Sequence, residues 1–461
     1  MVAPFRMAVV GAGWAGLAAA VQATRQGAQV CLFEMASSAG GRARQVPARS
    51  GRAPETQGQV MPKPGFDNGQ HILIGAYTET LALMQQVGAD PQHLFWRAPL
   101  TLCDAVGHGL TLPPGPAAPA FVRGVLTAKG WRWRDKASLL WWAARWRRKN
   151  FECDQAASVA DLCSGLPGRL QRALIEPLCI AALNTEMQRA SGQVFLRVLR
   201  DALFGGPGSA DLLIPTVPLS ALLPEPALRW LAQAGARYRL GHRVMALQPA
   251  SKEPSTGWLV DGEAFDAVVL ACSSVEAARL ALPQNPAWAA QATALRHEPI
   301  VTVWLHDPKL RLSQPMVALA TGTRAPAQFA FDLGQLGLAP QTLAFVVSGA
   351  GPWVDEGLTS TADAVIAQAR RQFPGSFVQD QPLRHVAAER RATFACTPGL
   401  QRPAMHIAPG LLAAGDYMDG PYPATLEAAV RSGLAAARSL TGASSAVTTA
   451  DRLPPEFTMS I

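Results

Sequence analysis

Three glycines, Gly11, Gly13 and Gly16, separate an apolar run from an alanine-rich one in Arg6-Met-Ala-Val-Val-Gly-Ala-Gly-Trp-Ala-Gly-Leu-Ala-Ala-Ala-Val. That spacing suits the holding of a pyrophosphate. Gly11 supplies a tight turn, Gly13 lets the backbone approach the anion, and Gly16 lets the helix pack closely on the strand. The amides of Trp14, Ala15 and Gly16 then open the helix and point at phosphate oxygens. A second apolar run, Gln29-Val-Cys-Leu-Phe, ends at Glu34, placed to hold the ribose hydroxyls of an unphosphorylated adenosine. Gly40-Gly41-Arg42-Ala43-Arg44 adds a second close approach to phosphate, with Gly41 beside the Arg42 fork, and this repeat favours FAD over NAD.

A second set of polar residues lies far from the first in sequence. Phe66-Asp67-Asn68-Gly69-Gln70-His71 precedes a helix predicted from Thr78, where the chain would leave the nucleotide domain. Gly410-Leu-Leu-Ala-Ala runs as a strand into Gly415-Asp416, and Tyr422-Pro-Ala-Thr425-Leu426 opens another helix. Taken alone, Gly415-Asp416 is an ordinary turn and Thr425 an ordinary N-cap.

The elements that must position these groups follow from the pattern. Arg243-Val244-Met-Ala-Leu and the stretch from Trp258 to Cys272 read as strands, with a turn at Asp261-Gly262. The result is an α/β fold: a Rossmann-type, FAD-binding domain from residues 1–75, 230–290 and 385–461, with a discontinuous α+β substrate domain from 76–229 and 291–384. A chain of 461 residues is long enough for two or three lobes. No apolar run approaches the ~18 residues that cross a bilayer, so a cytoplasmic protein is expected, at most peripheral on the inner membrane face. The seven cysteines are scattered without a Cys-x-x-Cys pair, which predicts reduced, mostly buried thiols and no metal site. A net charge of +8 suits an anionic partner without choosing among dinucleotide, lipid and nucleic acid. Arg49 to Lys63 and Leu112 to Ala120 read as loops, and Gly442 to Ile461 as a loosely ordered tail.

The glycine turn with Gly-Gly-Arg resembles the superfamily of amine oxidases, phytoene desaturases and protoporphyrinogen oxidases. Asp67-Asn-Gly-Gln-His-Ile-Leu-Ile-Gly-Ala-Tyr, Glu176-Pro-Leu-Cys-Ile-Ala-Ala-Leu-Asn-Thr and Tyr422-Pro-Ala-Thr-Leu-Glu are similar to the hydroxysqualene dehydroxylases, the squalene-associated FAD-dependent desaturases. The resemblance spans essentially the whole chain. It implies non-covalent FAD, with the Val244 backbone pairing with adenine, Asp416 on a ribityl or phosphate oxygen, and Thr425 and Leu426 at the helix N-terminus facing the flavin. Gly69 and Gln70 would flank the ring.

The implied reaction replaces the allylic hydroxyl of hydroxysqualene, a long-chain isoprenoid, with hydrogen, using an electron donor that the residues do not identify. His71 is the first candidate proton donor, with Tyr422 and Asp67 beside it. Gln70 and His71 serve equally well as hydrogen-bonding groups for the flavin.

Residues 129–149 interleave tryptophan with arginine and lysine in the manner of an interfacial helix on anionic membrane. Such arginines also suit RNA, and such tryptophans also pack on a protein body. A C30 hydrocarbon substrate favours the membrane, and no nucleic acid partner is expected. Rival readings are a carotenoid-type desaturase, which needs the same cavity and flavin, and a lipid-binding escort protein without redox chemistry.

Overall fold

The computed structural model describes residues 4–46, 66–103, 107–251, 257–378 and 382–450. Its central layer is a six-stranded sheet in the order His406–Ala408, Leu411–Ala413, Ala267–Leu270, Arg6–Val10, Gln29–Glu34, Arg237–Leu240. All neighbours are parallel except the first two. The inner strands are continuous apolar runs, which a parallel sheet covered on both faces requires. Helix Trp14–Arg25 covers one face and is buried at ten consecutive residues, Trp14 to Ala23. Helix Leu426–Ala450 packs along it, with Gly433 seated on the Ala15 backbone. The α/β fold is thus a Rossmann-type layer drawing strands from distant parts of the chain.

A second, antiparallel sheet orders Met316–Ala318, Phe329–Asp332, Thr342–Val347, His297–His306 and Leu383–Phe394. Its register slips between Glu298 and Ile300 on one strand, opposite the stretch between Thr393 and Glu389 on the other. Pro299 sits at the slip and has no amide hydrogen to give the ladder, so the partner strand bulges past it.

The structure corrects several expectations. Arg243 to Ala246 is not a strand: the Asp261 carboxylate accepts from the Met245 and Ala246 amides, and Arg279 donates to the Val244 and Met245 carbonyls. Side chains there occupy the backbone groups that a neighbouring strand would use. The turn at Asp261-Gly262 is present, both residues having positive φ (47° and 84°), which matches a two-residue hairpin between Trp258–Val260 and Glu263–Phe265. The predicted loop Leu112 to Ala120 ends early, in helix Ala117–Thr127. The basic aromatic segment is helical only over Trp133–Arg148. Helix Leu426–Ala450 continues into the predicted tail, because a helix already packed on a neighbour extends one residue at a time without a new nucleus. Arg49 to Lys63 lies outside the described residues. All seven cysteines are free, four of them buried. Among the described residues, no helix is long and apolar enough to cross a membrane and no side-chain cluster suits a metal ion.

Candidate functional site

Gly11 adopts φ +110°, and a Cβ there would lie 2.6 Å from the Ala271 carbonyl oxygen; at Gly16 it would lie 1.8 Å from that of Gly11. Packing of the fold itself demands both glycines. Gly13 differs, since a Cβ would meet nothing nearer than Gly41 Cα at 3.9 Å and its φ of −72° is ordinary. The fold leaves room for a side chain at Gly13, so its absence leaves space for a ligand. Helix Trp14–Arg25 begins at that glycine with no side-chain cap and no acid in its first turn, leaving amides directed at an anion.

Gly40 and Gly41 stand against this turn. The Gly40 amide donates to the Ala12 carbonyl at 2.8 Å, and a Cβ on Gly41 would lie 3.2 Å from Gly13 Cα. Arg44 donates to the Gly41 carbonyl, while its Nε is buried without a partner among the described residues. An unsatisfied guanidinium nitrogen beside an uncapped helix start fits a phosphate-bearing cofactor.

Glu34 is 7% exposed and already bonded: Oε2 accepts from the Ala12 amide at 2.7 Å and Oε1 from the Ala36 amide at 2.8 Å. A carboxylate has about four acceptor positions, so two remain for ribose hydroxyls. Val244 is buried at the end of the same layer, where its carbonyl accepts from Arg279 at 2.5 Å. The adenine pairing implied for its backbone would therefore share that carbonyl with Arg279.

The C-terminal return reaches the same place. The Gly415 amide donates to the Ser432 hydroxyl oxygen, fixing the turn on helix Leu426–Ala450, and buried Asp416 accepts from Arg42 Nη2 at 2.6 Å. Through Nη1, Arg42 also donates to the carbonyls of Arg391 and Ala392, in the stretch that bulges opposite Pro299. The proline leaves backbone acceptors without a ladder partner, and a guanidinium from the Gly-Gly-Arg element takes them up. Asn184 braces the other side. It caps helix Glu176–Leu183 in the left-handed region (φ 48°) and donates to the Glu298 carbonyl and the Thr393 hydroxyl.

Asp67, Gly69, Gln70 and His71 cross beside this bulge. Asn68 donates to the Arg42 carbonyl and to Glu389, and a Cβ on Gly69 would reach the Thr302 hydroxyl at 3.6 Å. His71 Nδ1 lies 3.0 Å from the Gly69 carbonyl. A carbonyl oxygen only accepts, so in this contact Nδ1 carries the proton and Nε2 presents a lone pair. Burial, reinforced by the Arg42 charge, holds His71 below the usual histidine value; the same two causes, in the same order, lower His297. Two imidazoles around one guanidinium are thus kept neutral. Burial pushes Asp67 up to about 6, although its Oδ1 accepts from the Leu219 amide.

Tyr422 belongs to another group. Its hydroxyl donates to Asp201 at 2.8 Å and accepts from Arg197 at 3.0 Å, while Arg197 and Arg431 stack on its ring. The Thr425 hydroxyl accepts from the Ala428 amide at 3.1 Å, a helix cap, and Leu426 packs against the layer between the two long helices. His297 and Glu389 join the site without belonging to any predicted motif, and Asn184 belongs to the Glu176-to-Thr185 run but was given no role there. The available signal was Pro299 inside an apolar strand pattern, which marks a bulge.

Comparison with known proteins bears on the fold and the family. The chain is 28% identical over 463 residues to a hydroxysqualene dehydroxylase from Rhodopseudomonas palustris (93% of this chain, 96% of the other). It is 26% identical over 452 residues to another from Sinorhizobium fredii (94% and 98%). Cyclohexylamine oxidase from Brevibacterium oxydans superposes with a TM-score of 0.65 at 16% identity, over 96% of this chain and 100% of that one. Residues 14–441 match the model of the flavin containing amine oxidoreductases, and the chain belongs to that family of flavin-dependent oxidoreductases.

Proposed function

We propose that the protein is an FAD-dependent hydroxysqualene dehydroxylase, reducing the allylic alcohol to squalene. The observation that carries this reading is the match to hydroxysqualene dehydroxylases over nearly the full length of both partners, with the crossing segment at Asp67–His71 and the Tyr422 run falling inside it. Non-covalent FAD would be held by the turn from Gly11 to Gly16, by Glu34 on the adenosine side, and by Gly41, Arg42, Arg44 and Asp416 nearer the centre. Bound and reduced, it would supply hydride.

The chain's own residues do the rest. The C–O bond breaks as an acid protonates the hydroxyl, water leaves, and the carbon gains hydrogen. The acid needs a pKa close to the working pH, so that part of it is protonated and the proton is readily given up. We assign that step to Asp67, because His71 is held neutral and presents a lone pair, while Tyr422 is tied to Asp201 and Arg197. His71 Nε2 would accept a hydrogen bond from the substrate hydroxyl or the flavin and so orient it. Segments 76–229 and 291–384 would supply the apolar enclosure that keeps water from an allylic cation.

The test is anaerobic incubation of chemically reduced protein with hydroxysqualene, following flavin absorbance and extracted lipid together. Squalene formed in step with oxidised flavin supports the reading. Flavin that stays reduced, with the alcohol recovered unchanged, overturns it.

A further inference from the structure

Helix Trp133–Arg148 turns an unusual face to solvent. Its exposed positions are Trp133, Arg134, Ala137, Trp141, Ala144 and Arg148, with Arg147 at the edge. Trp133 is 71% and Trp141 53% exposed, whereas Leu139, Ala143 and Trp146 are buried against the body of the protein. A helix that needs only to cover a core places its large aromatics inward. The one acid of the helix, Asp135, is buried and accepts from the Arg132 amide, so the outer face carries no negative charge.

The neighbouring helix extends the patch. Lys136 crosses to it, donating to the Leu126 carbonyl at 2.7 Å while lying over the Trp133 ring. On that helix, Val122 and Leu126, one turn apart, are 42% and 41% exposed. Between Ala117 and Lys149 the sequence holds nine lysines and arginines and one aspartate. That balance alone equals the +8 of the whole chain, so the remainder carries no net charge.

We propose that this face docks on an anionic lipid bilayer, with Trp133 and Trp141 seated at headgroup depth, Val122 and Leu126 beside them, and the arginines on lipid phosphates. Exposed tryptophan among cations matches the two-layered interface, apolar below and charged above. Charge and exposure alone suit this face to a bilayer, whatever the substrate.

The experiment is co-sedimentation of the intact flavoprotein with phosphatidylglycerol and with phosphatidylcholine vesicles. Binding to the first should exceed binding to the second and should fall with added salt. Arg134→Gln with Arg148→Gln should weaken binding about 30-fold, since each basic group near an anionic leaflet contributes about fivefold. Trp133→Ser with Trp141→Ser should weaken it as well. Both pairs lie on the exposed face, and retained bound flavin and melting temperature check folding. Absence of vesicle binding by the wild-type protein overturns the proposal, as does binding that neither pair reduces. So does a wild-type protein that captures a single-stranded RNA oligonucleotide, or self-associates through this face, while ignoring vesicles.

Discussion

The Arg42 guanidinium and the Asp416 carboxylate, 374 residues apart in sequence, meet at 2.6 Å, and the same guanidinium closes on the strand carbonyls of Arg391 and Ala392. One planar fork joins the Gly-Gly-Arg element, the C-terminal return and the bulged strand of the second sheet.

A lysine cannot reproduce that fork, since an ammonium is a point donor without a rigid plane. Arg42→Lys should keep part of the Asp416 contact, lose the bulge carbonyls, and lower both bound flavin and melting temperature. A double-mutant cycle with Asp416→Asn, read by denaturant unfolding, should give a coupling of about 1 kcal/mol, because Arg42 remains partly exposed to solvent. Additive effects would show that the pair is not coupled.

Gly13 and Gly16 should respond differently to the same change. Gly16→Ala drives a methyl into the Gly11 carbonyl and should prevent stable folding. Gly13→Ala has room in the protein, so flavin-free material should melt within about 1 kcal/mol of the wild type while flavin affinity drops sharply. Titration with FAD, beside thermal melts of the stripped protein, separates the two. Unchanged affinity in Gly13→Ala would remove that glycine from the phosphate contact.

Glu34→Gln retains shape but presents an amide nitrogen to one of two backbone donors, Ala12 or Ala36. Removing a charge-assisted partner from a buried amide costs about 1.5–3 kcal/mol. Stability should fall by that amount even without flavin, and FAD should dissociate more readily. A stripped variant as stable as the wild type would limit Glu34 to the ribose.

Asp67 titrates at about 6, above its ordinary 3.8, so the folded protein binds its proton more tightly than the unfolded chain does. The stability this provides is complete below about pH 4 and fades as pH rises to about 6, beyond which the buried charge is a net cost. Asp67→Asn keeps an acceptor for the Leu219 amide and loses the charge. It should therefore gain roughly 2–3 kcal/mol at pH 7 and nothing at pH 4, read by urea unfolding at both values. If Asp67 is also the acid, the wild-type rate should fall as pH rises through about 6, and the variant should lose turnover while keeping bound flavin.

Much of the geometry of the candidate nucleotide site was legible because its logic is local. Strand, turn, helix and terminal acid from Arg6 to Glu34 lie within one stretch, and Gly16 answers to Gly11 five residues before it, although Gly11 is itself held by the distant Ala271 backbone. The hairpin at Asp261-Gly262 was legible for the same reason. Arg42 was singled out as a candidate phosphate ligand but not as the clasp on a bulge, since that role depends on Pro299 withholding an amide in a strand far along the chain. Nor could Arg243 to Ala246 be recognised as irregular, because its continuous apolar run is that of a buried strand and only Asp261 and Arg279 divert its backbone. Helix Trp133–Arg148 was visible as a helix, whereas which tryptophans face outward was decided by the packing of Trp146 and Leu139.

The six-stranded sheet places Arg6–Val10 between Gln29–Glu34 and Ala267–Leu270, and the latter borders Leu411–Ala413. Helix Trp14–Arg25 finds its longest neighbour in Leu426–Ala450, about 400 residues later in the chain. On the ribosome that helix waits, part of its apolar flank uncovered, until residues 426–450 have been made. A nascent chain stalled before residue 411 would have the glycine turn but neither strand Leu411–Ala413 nor the long helix Leu426–Ala450 to cover it, leaving apolar surface for a chaperone to shield.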